Sequence, residues 1–188
     1  MTSTLPKLIG IGGKKQHGKD TLGKYLVERY GYTRISFADP LKEMIRPAFG
    51  FTEEQLYGSK KEDVDPFWKV SPRQVLQFVG TELFRDRMNE LIPGIESNFW
   101  IVLAKKKIIE EWGKNPDAKF VITDLRFLGE MEFIREMKGY TICVHRPLGD
   151  EPIDLHSSET ELDELKFDAV LSNNGSIDEL YASLDSLF

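Results

Sequence analysis

Gly13, Gly18 and Lys19 keep the spacing G-x-x-x-x-G-K within Gly13-Lys14-Lys15-Gln16-His17-Gly18-Lys19-Asp20-Thr21. This spacing suits polyphosphate binding. Glycines let backbone N–H groups turn inward around phosphate oxygens, and a helix starting behind them adds a partial positive charge. Lys19 would reach the β- and γ-phosphates as a point charge. Lys14 and Lys15 add positive charge beside it, and Gln16 and His17 complete the loop. The position after the lysine, ordinarily Ser or Thr, is Asp20, with Thr21 one place later. Asp20 reads either as a Mg²⁺ ligand, direct or through water, or as a first-turn acid favoured by the helix dipole. Thr21 is expected to offer its hydroxyl to an α-phosphate.

A second carboxylate follows an apolar run. Lys119-Phe-Val-Ile-Thr-Asp124 reads as a strand ending in an acid, which would set Asp124 beside the phosphate loop as a second metal-linked carboxylate. A plain turn-forming aspartate is the alternative. Arg126 reads as a cation for an anionic substrate or as half of a surface ion pair. Arg73 falls in the first turn of a helix opened by Ser71-Pro72, where a cation opposes the dipole, and this hints at an external anion. Gln77 lies one turn on along the same face. Arg85 and Arg87 continue the segment, and at least one of them is expected to be solvated. His145-Arg146-Pro147 closes a further strand, with Arg146 placed to stabilise a transferring phosphoryl group or stack on a base. His156 reads as a loop residue, and three histidines with one cysteine make no zinc pattern.

The elements that must position these residues alternate. Strands are predicted at Leu8–Ile11, Tyr32–Phe37, Phe120–Thr123, Thr141–Val144 and Asp168–Leu171. Helices are predicted from Leu22 to a Gly31 cap, after an Asp39-Pro40 start, after Thr52/Gln55 and Ser71/Gln74 capping boxes, along the Trp100–Trp112 stripe, over 128–138, and after Ser176/Glu179. Such alternation calls for an α/β fold with a parallel sheet, right-handed crossovers and helices on both faces. The helical stretch of about 39–113 reads as an insertion that covers substrate, and about 147–160 as a lid-like loop. Ligands of such sheets bind at the carboxyl ends of the strands, where the residues above fall.

Composition frames this. The chain has 188 residues, enough for one domain burying about 70% of its extended surface. A net charge of −6 argues against nucleic-acid polymers and anionic membranes as partners. The single Cys143 fits a reducing, cytoplasmic setting. No apolar run reaches the roughly 18 residues of a membrane span, and Leu8–Ile11 is too short for a signal peptide.

Several pieces together resemble the bacteriophage-type deoxynucleoside monophosphate kinases of the P-loop kinase superfamily. They are the loop 13–21, Ala-Asp-Pro-Leu-Lys (38–42), Ser-Pro-Arg-Gln-Val-Leu-Gln-Phe-Val-Gly-Thr-Glu-Leu (71–83) and Asn-Phe-Trp-Ile (98–101). Val-Ile-Thr-Asp-Leu-Arg-Phe (121–127), Val-His-Arg-Pro (144–147) and Ser-Asn-Asn-Gly-Ser-Ile-Asp-Glu-Leu (172–180) complete the set. The resemblance implies a three-layer P-loop kinase fold with a five-stranded parallel sheet in the order 2-3-1-4-5. It also implies transfer of the γ-phosphoryl of ATP to a deoxynucleoside monophosphate with Mg²⁺, and leaves a homodimer open. By position, Gly13 to Thr21 would hold ATP and metal. Lys42, Arg73, Gln77, Asp124 and Arg126 would surround the acceptor, and Arg146 with the loop after it would act as the lid. Trp68, Phe99 and Trp100 are candidates for stacking on the base, or for the core. The competing readings are a P-loop kinase acting on dephospho-coenzyme A or phosphomevalonate, and a nucleotide-binding module without turnover.

Overall fold

A computed structural model describes residues 5–96, 98–147 and 161–188, and the chain divides into two compact units: Met1–Ser36 with Lys107–Phe188, and Phe37–Lys106. The first is built on a five-stranded parallel sheet of order β2-β3-β1-β4-β5, with β1 Leu8–Gly12, β2 Thr33–Ile35, β3 Phe120–Leu125, β4 Tyr140–His145 and β5 Ala169–Ser172. The order is the expected one. β1 lies at the centre, pairing Ile9 with Val121 on one side and Tyr140 on the other, and all five of its residues are buried. A strand covered on both faces is apolar throughout, not alternating.

Helices α1 Lys19–Tyr30 and α8 Ile177–Asp185 contribute to a core of Ile9, Ile11, Leu22, Leu26, Val121, Ile142, Val144, Leu171, Leu180 and Leu184. Helix α7, Leu128–Glu136, packs against β1 and β4 and buries Met131, Phe133 and Ile134. Gly31 ends α1 in the left-handed conformation, its N–H donating to the Leu26 and Val27 carbonyls.

The second unit is helical. It holds α2 Asp39–Phe49, α3 Glu53–Leu56, α4 Pro72–Gln77, α5 Met88–Leu91 and the first half of α6, Phe99–Lys114, whose second half belongs to the first unit. Leu41, Ile45, Phe51, Leu56, Val75 and Leu76 form its core. The capping boxes at Thr52/Gln55, Ser71/Gln74 and Ser176/Glu179 form as the sequence predicts.

Three expectations are corrected, and one feature is added. Asp39 is not an N-cap: Ala38 takes that position in a helical conformation, and Asp39 lies within α2. Asp39 forms an ion pair with Lys42 instead, 3.9 Å away. β2 keeps only three residues, because β3 is its single neighbour and leaves its flanks unpaired. β3 runs on to Leu125, so Asp124 lies inside the strand rather than ending it. Finally, α4 passes without a break into a π-helix, Phe78–Asp86, that no sequence signal announced.

Leu22 is fully buried between α1 and the sheet. Leu22→Ala is expected to cost roughly 2–5 kcal/mol of unfolding free energy in urea, with the slope of the transition unchanged.

Candidate functional site

The loop between β1 and α1 is shaped by contacts that leave no room for side chains. Gly13 has φ +142°, and a Cβ there would come within 2.4 Å of the Val144 carbonyl oxygen. Gly18 has φ +106° and would meet the Asn173 amide nitrogen at 2.6 Å. These conformations turn the backbone as the motif requires, and only glycine adopts both without strain. The neighbouring strands hold the loop from outside. Asn173, just past β5, donates from Nδ2 to the His17 carbonyl at 2.8 Å, and His17 Nδ1 donates to the Val144 carbonyl at 3.2 Å. His17 is buried and lies edge-on to His145, ring centres 5.5 Å apart. The expected loop histidine is thus a strut between β1 and β4.

Lys19 opens α1 and is itself buried, its ammonium donating to the Lys14 carbonyl at 2.6 Å. The lysine therefore folds back over its own loop. Lys15 and Gln16 are exposed, and Lys14, Gly18 and Thr21 are half-buried. Gln16 adopts φ +63°, a left-handed turn carried by a non-glycine residue.

The carboxylates gather with hydroxyls at the carboxyl ends of β2 and β3. Asp20 Oδ1 accepts from Arg34 Nη2 at 2.6 Å and lies 3.4 Å from the Thr123 hydroxyl. The next residue, Asp124, accepts from Ser36 Oγ at 2.6 Å. Asp20 and Asp124 thus each have a hydroxyl partner at these strand ends. Asp20 remains three-quarters exposed, so its pair with Arg34 is worth little by itself. The donor set suits Mg²⁺, which takes hard oxygens and is bound through one or two carboxylates with waters and substrate phosphates. Among the described residues no group of three or more His, Cys, Asp or Glu forms a protein-only cage.

Arg126 is half-buried just past β3, and its backbone N–H donates to Glu130 Oε2 at 2.8 Å, as does that of Phe127 at 3.1 Å. The buried Glu130 carboxylate therefore fixes the turn that carries Arg126. Arg146 is exposed after β4. Most of the expected lid stretch 147–160, with His156, lies outside the described residues.

The other predicted residues belong to the helical unit. Arg73, on α4, meets Glu62 at 3.2 Å with about a quarter of its side chain exposed. The anion beside it is thus Glu62 of the same unit, where its placement had hinted at an external one. Lys42 lies over the Tyr57 ring, 4.0 Å from its centre, a cation–π contact. Gln77 is half-buried. Trp100 donates from Nε1 to the Gly80 carbonyl at 2.9 Å and packs with Phe84 and Phe99. Its ring is built into the unit's packing.

Sequence reasoning missed Arg34, Ser36, Thr123, Glu130 and Asn173. The clearest available signal was Glu130, four residues after Arg126 at a helix start. Asn173 reaches His17 across 156 residues, a separation no local pattern reports.

A glycine-shaped phosphate loop at the carboxyl edge of a 2-3-1-4-5 parallel sheet defines a P-loop kinase fold. A solved structure from Thermus thermophilus, TT1252, shares this fold with TM-score 0.50 and 20% identity, covering 98% of this chain and 97% of that one. The model of the family described as deoxynucleotide monophosphate kinase matches residues 59–184. A provisionally named deoxynucleotide monophosphate kinase of Acanthamoeba polyphaga mimivirus is 42% identical over 183 residues, covering 95% of this chain and 94% of its own. The deoxynucleoside-5'-monophosphate kinase of Escherichia phage T5 is 27% identical, covering 69% of this chain and 72% of its own. The chain belongs to the deoxynucleotide monophosphate kinase family, and is a phosphotransferase.

Asn173→Asp keeps shape but sets an acceptor against the His17 carbonyl, 2.8 Å from the present donor. It is expected to lower stability by about 1–3 kcal/mol and to speed amide exchange at Gly18 and Lys19. Unchanged exchange there would show that Asn173 does not hold the loop.

Proposed function

We propose that this protein transfers the γ-phosphoryl group of ATP to deoxynucleoside 5'-monophosphates by in-line displacement without a general base. The observation that carries the reading is the buried Lys19 at the head of α1, in a phosphate loop whose backbone admits only glycine at two turns. The acceptor phosphate has a second pKa of about 6, so at neutral pH it is already an anionic nucleophile. What remains is positioning and charge neutralisation.

Each residue has a defined part. Backbone N–H groups of Gly13 to Lys19 hold the ATP phosphates, with Lys19 on the β- and γ-oxygens and Thr21 on the α-phosphate. Asp20 and Asp124 would hold Mg²⁺, which when bound supplies charge neutralisation to the phosphate oxygens. Ser36 and Arg34 orient the two carboxylates. Arg126, with Arg73 and Arg146, offsets the negative charge of the two phosphate groups, and Glu130 sets the backbone that presents Arg126. Lys42 and Gln77 bind the acceptor, and Trp100 acts through the packing of the helical unit. That unit serves as the acceptor-binding insertion, and 147–160 as the lid. Among the described residues no helix is long and apolar enough to cross a membrane. The partners are two small molecules; neither a nucleic-acid polymer nor a homodimer is needed for the chemistry.

Lys19→Met is expected to lose turnover by about 10²-fold or more, the scale of removing one transition-state charge contact, while its melting temperature stays near wild type. An ATP-coupled assay over ribo- and deoxynucleoside monophosphates, dephospho-coenzyme A and phosphomevalonate checks the assignment. Full activity of the variant, or transfer only to the last two acceptors, would sink it.

A further inference from the structure

Alternation along a strand gives β4 and β5 two chemically different faces. Ile142, Val144 and Leu171 enter the core shared with α1 and α8. Cys143, His145 and Val170 therefore fall on the opposite face, where they line a cavity of about 230 Å³. Lys14 and His17 of the phosphate loop form a second wall, and Leu162, Leu165 and Phe167, from the segment leading into β5, form a third. All of these residues belong to the sheet unit. Lys19, Asp20, Thr21, Asp124 and Arg126 do not line the cavity, so it abuts the loop from the face of the sheet away from α1. Its third wall is packed in place: a Cβ on Gly12 would come within 2.5 Å of the Phe167 ring.

The lining is divided by chemistry. Leu162 is buried, and Leu165 and Phe167 are half-buried, which makes one side apolar. The loop side offers Lys14, half-buried, and His145, whose imidazole carries an N–H in either neutral tautomer. Among the described residues no carboxylate lines the cavity. An apolar body with a few placed polar groups is the usual make-up of a small-molecule site. One ammonium matches a monoanion, whereas a phosphate dianion calls for several cations and N–H donors. A cavity of about 150 Å³ holds benzene. The larger volume here leaves room for one ring carrying a short acidic arm.

We propose that this cavity binds a small carboxylic acid with an apolar body the size of a single ring, and that its occupation weakens ATP binding at the adjoining loop. The inference rests on the proposed reading of that loop as the ATP site. Lys14 carries the coupling. Its charge is one of three lysine charges on the loop, and its carbonyl accepts from the Lys19 ammonium at 2.6 Å. A carboxylate beside Lys14 sets a negative charge next to the loop, where the half-buried setting screens it less than bulk water would. The attraction for a polyphosphate falls accordingly. Linkage makes the effect mutual, so ATP weakens binding of the acid by the same factor.

The test uses the full chain with phenylacetate as the probe and benzyl alcohol as its neutral counterpart. Sodium acetate at equal concentration controls for ionic strength. Methyl NMR of Leu162, Leu165 and Val170 follows probe binding, and calorimetry follows ATP binding, in wild type, Cys143→Met and Val170→Phe. Phenylacetate is expected to shift those methyl groups with a Kd in about the millimolar range, as suits a ligand of its size. At saturating phenylacetate the Kd of ATP is expected to rise about 5-fold and then level off, and ATP should raise the Kd of phenylacetate equally. Benzyl alcohol should shift the same methyl groups and leave ATP binding unchanged. The two variants fill the cavity, so both should bind ATP as wild type does and lose the probe's effects. Should Cys143→Met not fold, Val170→Phe, at an exposed position, carries the comparison. Absent methyl shifts, an ATP Kd that does not change or that acetate raises equally, or undiminished probe binding in the folded variants would each overturn the inference. So would an ATP Kd that climbs without limit, the mark of one shared site. A wild-type protein that does not bind ATP would instead overturn the reading of the loop itself.

Discussion

Everything at the site depends on the path of backbone between Ile11 and Lys19. A phosphate group is held by several N–H donors pointing inward only if the chain bends where side chains cannot follow. The bends fall at Gly13 and Gly18, and the atoms that forbid a Cβ there belong to β4 and to the turn after β5. Sheet order and phosphate chemistry are thus one constraint. β1 must be central for β4 to supply Val144, and β5 must be next in line for Asn173 to reach His17. His17 and Asn173 are buried polar side chains whose hydrogen bonds hold the loop, and a group buried without its partner would cost 1–3 kcal/mol, order of magnitude.

Charge follows the same economy of place. The whole chain carries −6, yet Lys14, Lys15 and Lys19 share one loop, and Arg34 and Arg126 flank the strand ends beside it. Asp20 and Asp124, far apart in sequence, each take a partner at the strand ends, Asp20 from Arg34 and Thr123 and Asp124 from Ser36. The net negative charge is therefore unevenly spread, with cations collected at the loop and the strand ends.

The helical unit follows a different rule. Its sequence carries clear start signals, and the capping boxes formed where Ser, Thr and Gln predicted them. Caps act within four residues, so a local pattern suffices. The π-helix has no such signature. It arises where Trp100 and Leu41, both distant in sequence, fix Gly80, and the helix accommodates them by widening its turn. Trp100, a candidate for stacking on a base, holds that register through its indole N–H.

The sequence alone determined the phosphate loop, the strand–helix alternation and the capping boxes, because each depends on neighbours within a turn or a strand. Through its resemblance to known kinases it also carried the strand order. Tertiary structure decided which side chains orient those groups: Arg34 on Asp20, Ser36 on Asp124, Glu130 behind Arg126, Asn173 and His17 under the loop. It also decided the faces of the 72–86 helix. Hydrogen bonds between strand ends link residues about 90 to 160 positions apart, and helix phase over many turns is set by what packs against it. Neither leaves a periodic trace in the chain, so only the folded molecule assembles them.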